Sequence, residues 1–188
     1  MIKVLGINGS PRIGGNTDIL IDKALEGAKN RGASIEKVIL NELEILPCQE
    51  CDIMNDDGTC HVRDNMTGLY EKIKSCDVLI LASPIFFGSL SAQTKTMIDR
   101  FQCLWRAKYI LGKDIRFTRK KGYFVSVEGS DREDFFINAR SIVKNLFATI
   151  SASYDGELFC PKVDRKAGIL EHGDYLEKAF NLGIDAAS

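Results

Sequence analysis

Five strand-like and five helix-like segments alternate along the 188 residues, which predicts an α/β fold. The expected architecture is a doubly wound sheet of five parallel strands, order 2-1-3-4-5, with helices on both faces. Two further observations support it. The stretch Asp77–Ala82 is apolar from Val78 onward, as a strand covered on both faces requires. Only one stretch, residues 44–64, breaks the rhythm, and it is too short to be a domain. Residues 1–188 are therefore expected to form one domain carrying a decorated loop.

The elements follow in order. Val4–Ile7 is a short buried strand running into the turn-rich Asn8-Gly9-Ser10-Pro11. From Thr17 the pattern becomes helical, with Ile19, Leu20, Ala24, Leu25 and Ala28 on one side and Gly32 as the stop. Ile35–Leu40 is the second strand. After the irregular 44–64, Met66, Leu69, Tyr70 and Ile73 mark an amphipathic helix, followed by the strand at 77–82. Met97, Ile98, Phe101, Leu104 and Trp105 describe one helix capped by Ser91. Tyr123–Val127 is the fourth strand. Ser130-Asp131-Arg132-Glu133 reads as a capping box for a helix carrying Phe136, Ala139, Val143, Leu146 and Phe147. A strand near Tyr154–Phe159 and a helix around Tyr175–Leu182 complete the series.

Composition narrows the function. Twenty-five Lys and Arg against 26 Asp and Glu leave a formal net charge of −1, with no basic excess to drive nucleic-acid or membrane-surface binding. The longest apolar run, Val78–Ala82, is far below the ~20 residues of a membrane helix. Met1–Ile7 meets a turn at once and does not read as a secretion signal. A chain able to build a core has no need of a disulfide framework, so a cytoplasmic, reduced protein is expected. Three of the six cysteines, Cys48, Cys51 and Cys60, nevertheless crowd into 13 residues.

Ligands in such sheets sit beyond the carboxyl ends of the strands, where the order reverses. The first strand–helix turn, Gly9 to Thr17, suits a phosphate: its amides and the positive end of the helix could be joined by Ser10, Asn16, Thr17 and the charge of Arg12. It lacks the lysine of a Walker A loop and the G-x-G-x-x-G spacing of a dinucleotide loop. A terminal monoester phosphate, as in FMN, remains, against the alternative of plain helix capping. The third turn, with Pro84, Ile85, Phe86, Phe87 and Gly88, places two aromatics where a flat ring needs a wall. Packing on the following helix or on a second subunit is the alternative for these aromatics. Glu128 and Gly129 in the fourth turn would close the far side.

Gly9-Ser10-Pro11-Arg12 with Gly15-Asn16-Thr17, then Ser83 to Gly88, then Lys95 to Arg100, resemble the flavodoxin-like NAD(P)H-dependent FMN reductases, and the cysteine loop resembles their iron–sulfur flavoprotein branch. The resemblance implies FMN held by Ser10, Arg12, Asn16, Thr17 and Pro84–Gly88, NAD(P)H as electron donor, a quinone, flavin or other small molecule or a redox protein as acceptor, and homodimers or homotetramers. The flavin would carry the chemistry without a catalytic side chain. Phe86 departs from the Tyr common there.

The iron–sulfur branch resembles C-x2-C-x2-C plus a later Cys, four thiolates for one cluster. Here Cys48 and Cys51 are followed by Met54 in the third position, then Cys60 and His61. A neutral thioether is a poor substitute for a thiolate, which weighs against a four-cysteine cluster. The alternatives are a Cys3His zinc site, a Cys48/Cys51 dithiol beside the flavin, or free thiols. Cys76, Cys103 and Cys160 sit in or beside periodic segments and read as small core residues. An FMN oxidoreductase is the leading reading. A flavin electron-transfer or redox-sensing protein and a zinc-bearing interaction module are the alternatives.

Overall fold

The computed structural model describes residues 1–51, 53–113 and 117–188. β1 (Lys3–Asn8), α1 (Asn16–Asn30) and β2 (Ser34–Ile39) lead through the cysteine loop to α2 (Met66–Ser75). β3 (Val78–Phe86), β4 (Ser89–Leu90), α3 (Ala92–Asp99) and α4 (Gln102–Tyr109) follow, then β5 (Lys120–Val127), α5 (Glu133–Thr149), β6 (Ala152–Cys160) and α6 (Gly173–Ala186). The sheet order is β2-β1-β3-β5-β6, all parallel, which is the expected topology.

The sixth strand, β4, returns antiparallel along the end of β3, pairing Ile85 with Leu90 and Phe86 with Ser89. Much of the expected third loop is therefore strand. Ser83 and Pro84 continue the ladder opposite Ser126 and Val127. Only Phe87 and Gly88 remain to turn the chain. Both have positive φ, 50° and 75°, the backbone of a type I′ hairpin turn.

Two more expectations are corrected. The single helix expected after Ser91 is divided into α3 and α4 at Arg100–Phe101, where the Arg100 guanidinium turns into the protein. Ser91 does cap α3, its hydroxyl accepting from Thr94 N at 3.2 Å. The capping box before α5 does not form. The Glu128 carboxylate does that work instead, accepting from Arg132 N at 2.7 Å and from the Ser130 hydroxyl at 3.2 Å.

Alternation along the central strands sorts the core into two layers. Leu5, Ile7, Leu79 and Leu81 face α2–α5, while Val4, Val78, Ile80 and Ala82 face α1 and α6. On the second face the helices meet backbone to backbone. A Cβ on Gly27 would lie 2.0 Å from the Phe180 carbonyl oxygen, and one on Gly183 only 1.8 Å from that of Ala24. Among the described residues no helix is long and apolar enough to cross a membrane.

Candidate functional site

The turn after β1 is held by its own first helical turn. Asp18, buried at 5% exposure, accepts from Asn8 Nδ2 and from Gly14 N, both at 2.7 Å, and lies 2.6 Å from Lys37 Nζ. Asn8 Oδ1 in turn accepts from Ser10 N, and Ser10 Oγ from Arg12 N. Gly9 N donates to Ala82 O at 2.7 Å, drawing this turn against the end of β3. The hydroxyl of Ser10 stays buried at the base of the turn, and the amides opening α1 have no carbonyl one turn earlier within the helix.

A small cleft of about 90 Å³ opens there. Its lining brings together Ser10, Arg12, Asn16 and Thr17 from the first turn with Pro84, Ile85 and Phe86 from the end of β3. Glu128 and Gly129 form part of the far side. Three consecutive strand ends of the switch point thus converge as the topology requires.

Two of the expected residues stand outside the cleft, and two that line it have polar groups already engaged. Phe87 and Gly88 do not line the cleft, because they form the hairpin turn, and Phe87 projects into solvent, fully exposed. The Asn16 amide is already committed, donating to Val163 O and Arg165 O and accepting from Ile169 N. The Glu128 carboxylate is spent on the loop before α5. Sequence reasoning missed Val163, Asp164 and Lys166, which complete the cleft from the segment after β6. Nothing in their local pattern marks them. They arrive because Asn16 ties that segment down and Arg12 Nη1 donates to Asp164 O at 3.4 Å.

A second cavity, of about 200 Å³, lies over the cysteine loop. Cys48, Cys51 and Cys60 line it, and so does Cys103 from the start of α4. Cys103 is half-buried and packs against the core as well as lining this cavity, its thiol donating to Arg100 O at 3.1 Å and standing 3.6 Å from Tyr70 Oη. Burial pushes its thiol up to about 11. Cys76 and Cys160 are core residues as expected, pushed by burial up to about 11 and about 12.

Met54 does not line this cavity; its backbone forms an isolated antiparallel bridge with Cys60. Cys51 Sγ lies 3.5 Å from His61 Nδ1. Among the described residues no three of His, Cys, Asp and Glu are grouped so as to hold a single metal ion.

One buried ion pair fastens the loop. Arg100, 2% exposed, donates through Nη1 to Asp64 Oδ2 and to Leu46 O and through Nη2 to Val62 O. Burial pushes the Asp64 carboxyl up. The bond from Arg100 and the amides of Leu46 and Met66 outweigh that and hold it below its ordinary 3.8. Its contribution is therefore complete above pH 3.8 and is lost as pH falls below that value. Trp105, the one tryptophan, lines the same cavity and reports on it. Its fluorescence should change below about pH 4, and Asp64→Asn should abolish this step. A loop transition centred above pH 6 would contradict the assignment.

Residues 2–151 match the NADPH-dependent FMN reductase family. The chain is 37% identical over 129 residues to an iron–sulfur flavoprotein of Methanosarcina thermophila, covering 69% of this chain and 64% of that one. It is 39% identical over 99 residues to iron–sulfur flavoprotein MJ1083 of Methanocaldococcus jannaschii, covering 53% and 51%. The chain therefore spans less than two thirds of these archaeal relatives' lengths. A Bacillus subtilis protein named as the NAD(P)H-dependent FMN-containing oxidoreductase YwqN is 30% identical over 182 residues, 96% of each chain. Among solved structures, a flavone reductase superposes with TM-score 0.79 at 24% identity, covering 99% of this chain and 62% of that one. An NAD(P)H:quinone oxidoreductase from Methanothermobacter marburgensis gives 0.73 at 15% identity, covering 98% of both. These two likenesses show the flavodoxin-like fold.

Proposed function

The chain belongs to the NADPH-dependent FMN reductase family, and from that premise we propose that it binds FMN in the β1–β3–β5 cleft and passes electrons from NAD(P)H to a small acceptor such as a quinone or a flavin. The observation that carries the reading is the meeting, at one switch point, of a phosphate-suited turn and an apolar wall. Ser10, Thr17 and the first amides of α1 would hold the phosphate, with Arg12 and Lys166 adding positive charge from two separate segments. Pro84, Ile85 and Phe86 would wall the ring, and Gly129 admits close backbone approach on its far side. Bound FMN supplies the hydride and electron chemistry; the protein's part is to orient it, exclude water and set the charge around it.

The archaeal relatives' names add a second group, an iron–sulfur cluster, and in this chain the cysteine loop would be the place for it. A cluster at that loop would suit an electron-transfer or redox-sensing role. Homo-oligomers near the flavin, as the resemblance implies, gain support from Phe87, a large apolar side chain held out in solvent beside the cleft.

The purified chain should show flavin absorption bands or acquire them with added FMN, and it should oxidise NAD(P)H with a quinone acceptor. Replacing both Arg12 and Lys166 with alanine should weaken FMN by tenfold or more, about 1.4 kcal/mol. Riboflavin, which lacks the phosphate, should bind the variant and the parent equally. Absence of FMN binding, or equal losses for both ligands, would refute the assignment.

A further inference from the structure

We propose that Cys103 joins Cys48, Cys51 and Cys60 as the fourth thiolate of a four-iron, four-sulfur site, in the place that loop spacing would give to Met54. The inference rests on the iron–sulfur reading above and adds to it a ligand set that local sequence does not contain. Such a cluster takes four cysteine thiolates. The loop supplies three, and Met54 is engaged in the bridge to Cys60, away from the cavity lining. The fold supplies another from 43 residues beyond Cys60, since Cys103, at the start of α4, lines the same cavity. A cubane is bulkier than a single ion, and its ligands stand around it rather than on one atom. The lack of a convergent single-ion site is therefore compatible with a cluster.

A second, independent observation points to an anionic occupant. Arg100 lines this cavity, its side chain is 1% exposed, and its Nε is a buried donor without a hydrogen-bond partner. Both Nη atoms are already taken by the loop. An orphaned buried donor is costly, and more so when it belongs to a charged group. A cluster with four thiolates carries net negative charge and presents sulfur acceptors, so Nε–H would donate to it. As each iron–sulfur bond forms, the thiol proton leaves to solvent and the cysteine sulfur keeps its oxidation state.

The test uses the full chain, expressed with iron and purified under nitrogen. It compares the parent with Cys103→Ser, Cys76→Ser and Cys160→Ser by iron and acid-labile sulfide content and by electron paramagnetic resonance of the reduced protein. About four iron and four sulfide per chain are expected in the parent and in the Cys76 and Cys160 variants. Cys103→Ser should lose at least half of both and change the resonance, while binding added FMN as the parent does, which shows that it is folded. Cys103→Ala serves in the same way if the serine variant does not fold. Full iron and sulfide retention in both Cys103 variants would overturn the fourth-ligand assignment. A parent chain holding FMN but neither iron nor sulfide, or holding one zinc instead, would overturn the cluster and leave the FMN reading standing.

Discussion

Alanine at position 183 should destabilise the protein by about 3 kcal/mol or more, lowering its thermal midpoint by about 6–12 °C. The sign is the informative part. Within a helix, glycine to alanine is ordinarily favourable by up to about 1 kcal/mol. Position 183 reverses this because the added methyl would meet the Ala24 carbonyl oxygen at 1.8 Å, a backbone atom that no rotamer change can move. Relief requires separating α1 from α6, and these two helices enclose the core layer formed by Leu20, Ala24, Ala179 and Leu182. Gly68, in α2, has nothing within 4 Å of its would-be Cβ, so Gly68→Ala should leave stability unchanged or raise it. Thermal unfolding of both variants checks the contrast. Equal midpoints would mean that the α1–α6 contact is looser than described.

Asp18→Ala should have the largest effect on the cleft. The side chain touches no part of the lining, yet it is the acceptor shared by Asn8 Nδ2 and Gly14 N and a partner of Lys37. Its removal leaves buried donors unmet, at about 2–4 kcal/mol in total. The turn that carries Ser10 and Arg12 should loosen, and FMN should bind at least tenfold more weakly. Asp18→Asn keeps the shape but offers one accepting oxygen where two are used, so it should fall between the alanine variant and the parent. Titration of FMN with the three proteins gives the order. Parent-like affinity in Asp18→Ala would show that the turn holds its shape without this carboxylate.

The sequence made the sheet legible because alternation, apolar runs and turn residues are local signals. Val78–Ala82 could be little else than a central strand, and Ser10, Arg12, Thr17, Pro84, Ile85 and Phe86 arrive at the cleft as their places in the topology require. What stayed hidden depends on contacts between distant segments. Val163, Asp164 and Lys166 enter through the bonds made by Asn16, 147 residues from one of its partners. Phe87 reads as part of an aromatic wall, but pairing of Phe86 with Ser89 leaves it as a turn residue. Cys103 sits beside the periodic apolar positions of its helix and so reads as a core cysteine. Its place on the cysteine-loop cavity, 43 residues beyond Cys60, is marked by no local signal.

The ends of that loop carry a consequence for protein engineering. Glu44 N donates to Asn65 Oδ1 at 2.7 Å, and Asn65 N donates back to Glu44 O at 3.2 Å, so the segment leaves and rejoins the body beside the same clasp, and its described residues add no strand to the sheet. Closure entropy rises slowly with loop length, about 0.6 kcal/mol for each doubling. Residues 47–59 can therefore be exchanged as a cassette with no strand changing register, provided Leu46, Val62 and Asp64 stay to meet the buried Arg100 guanidinium. One scaffold could carry different redox groups beside the same cleft.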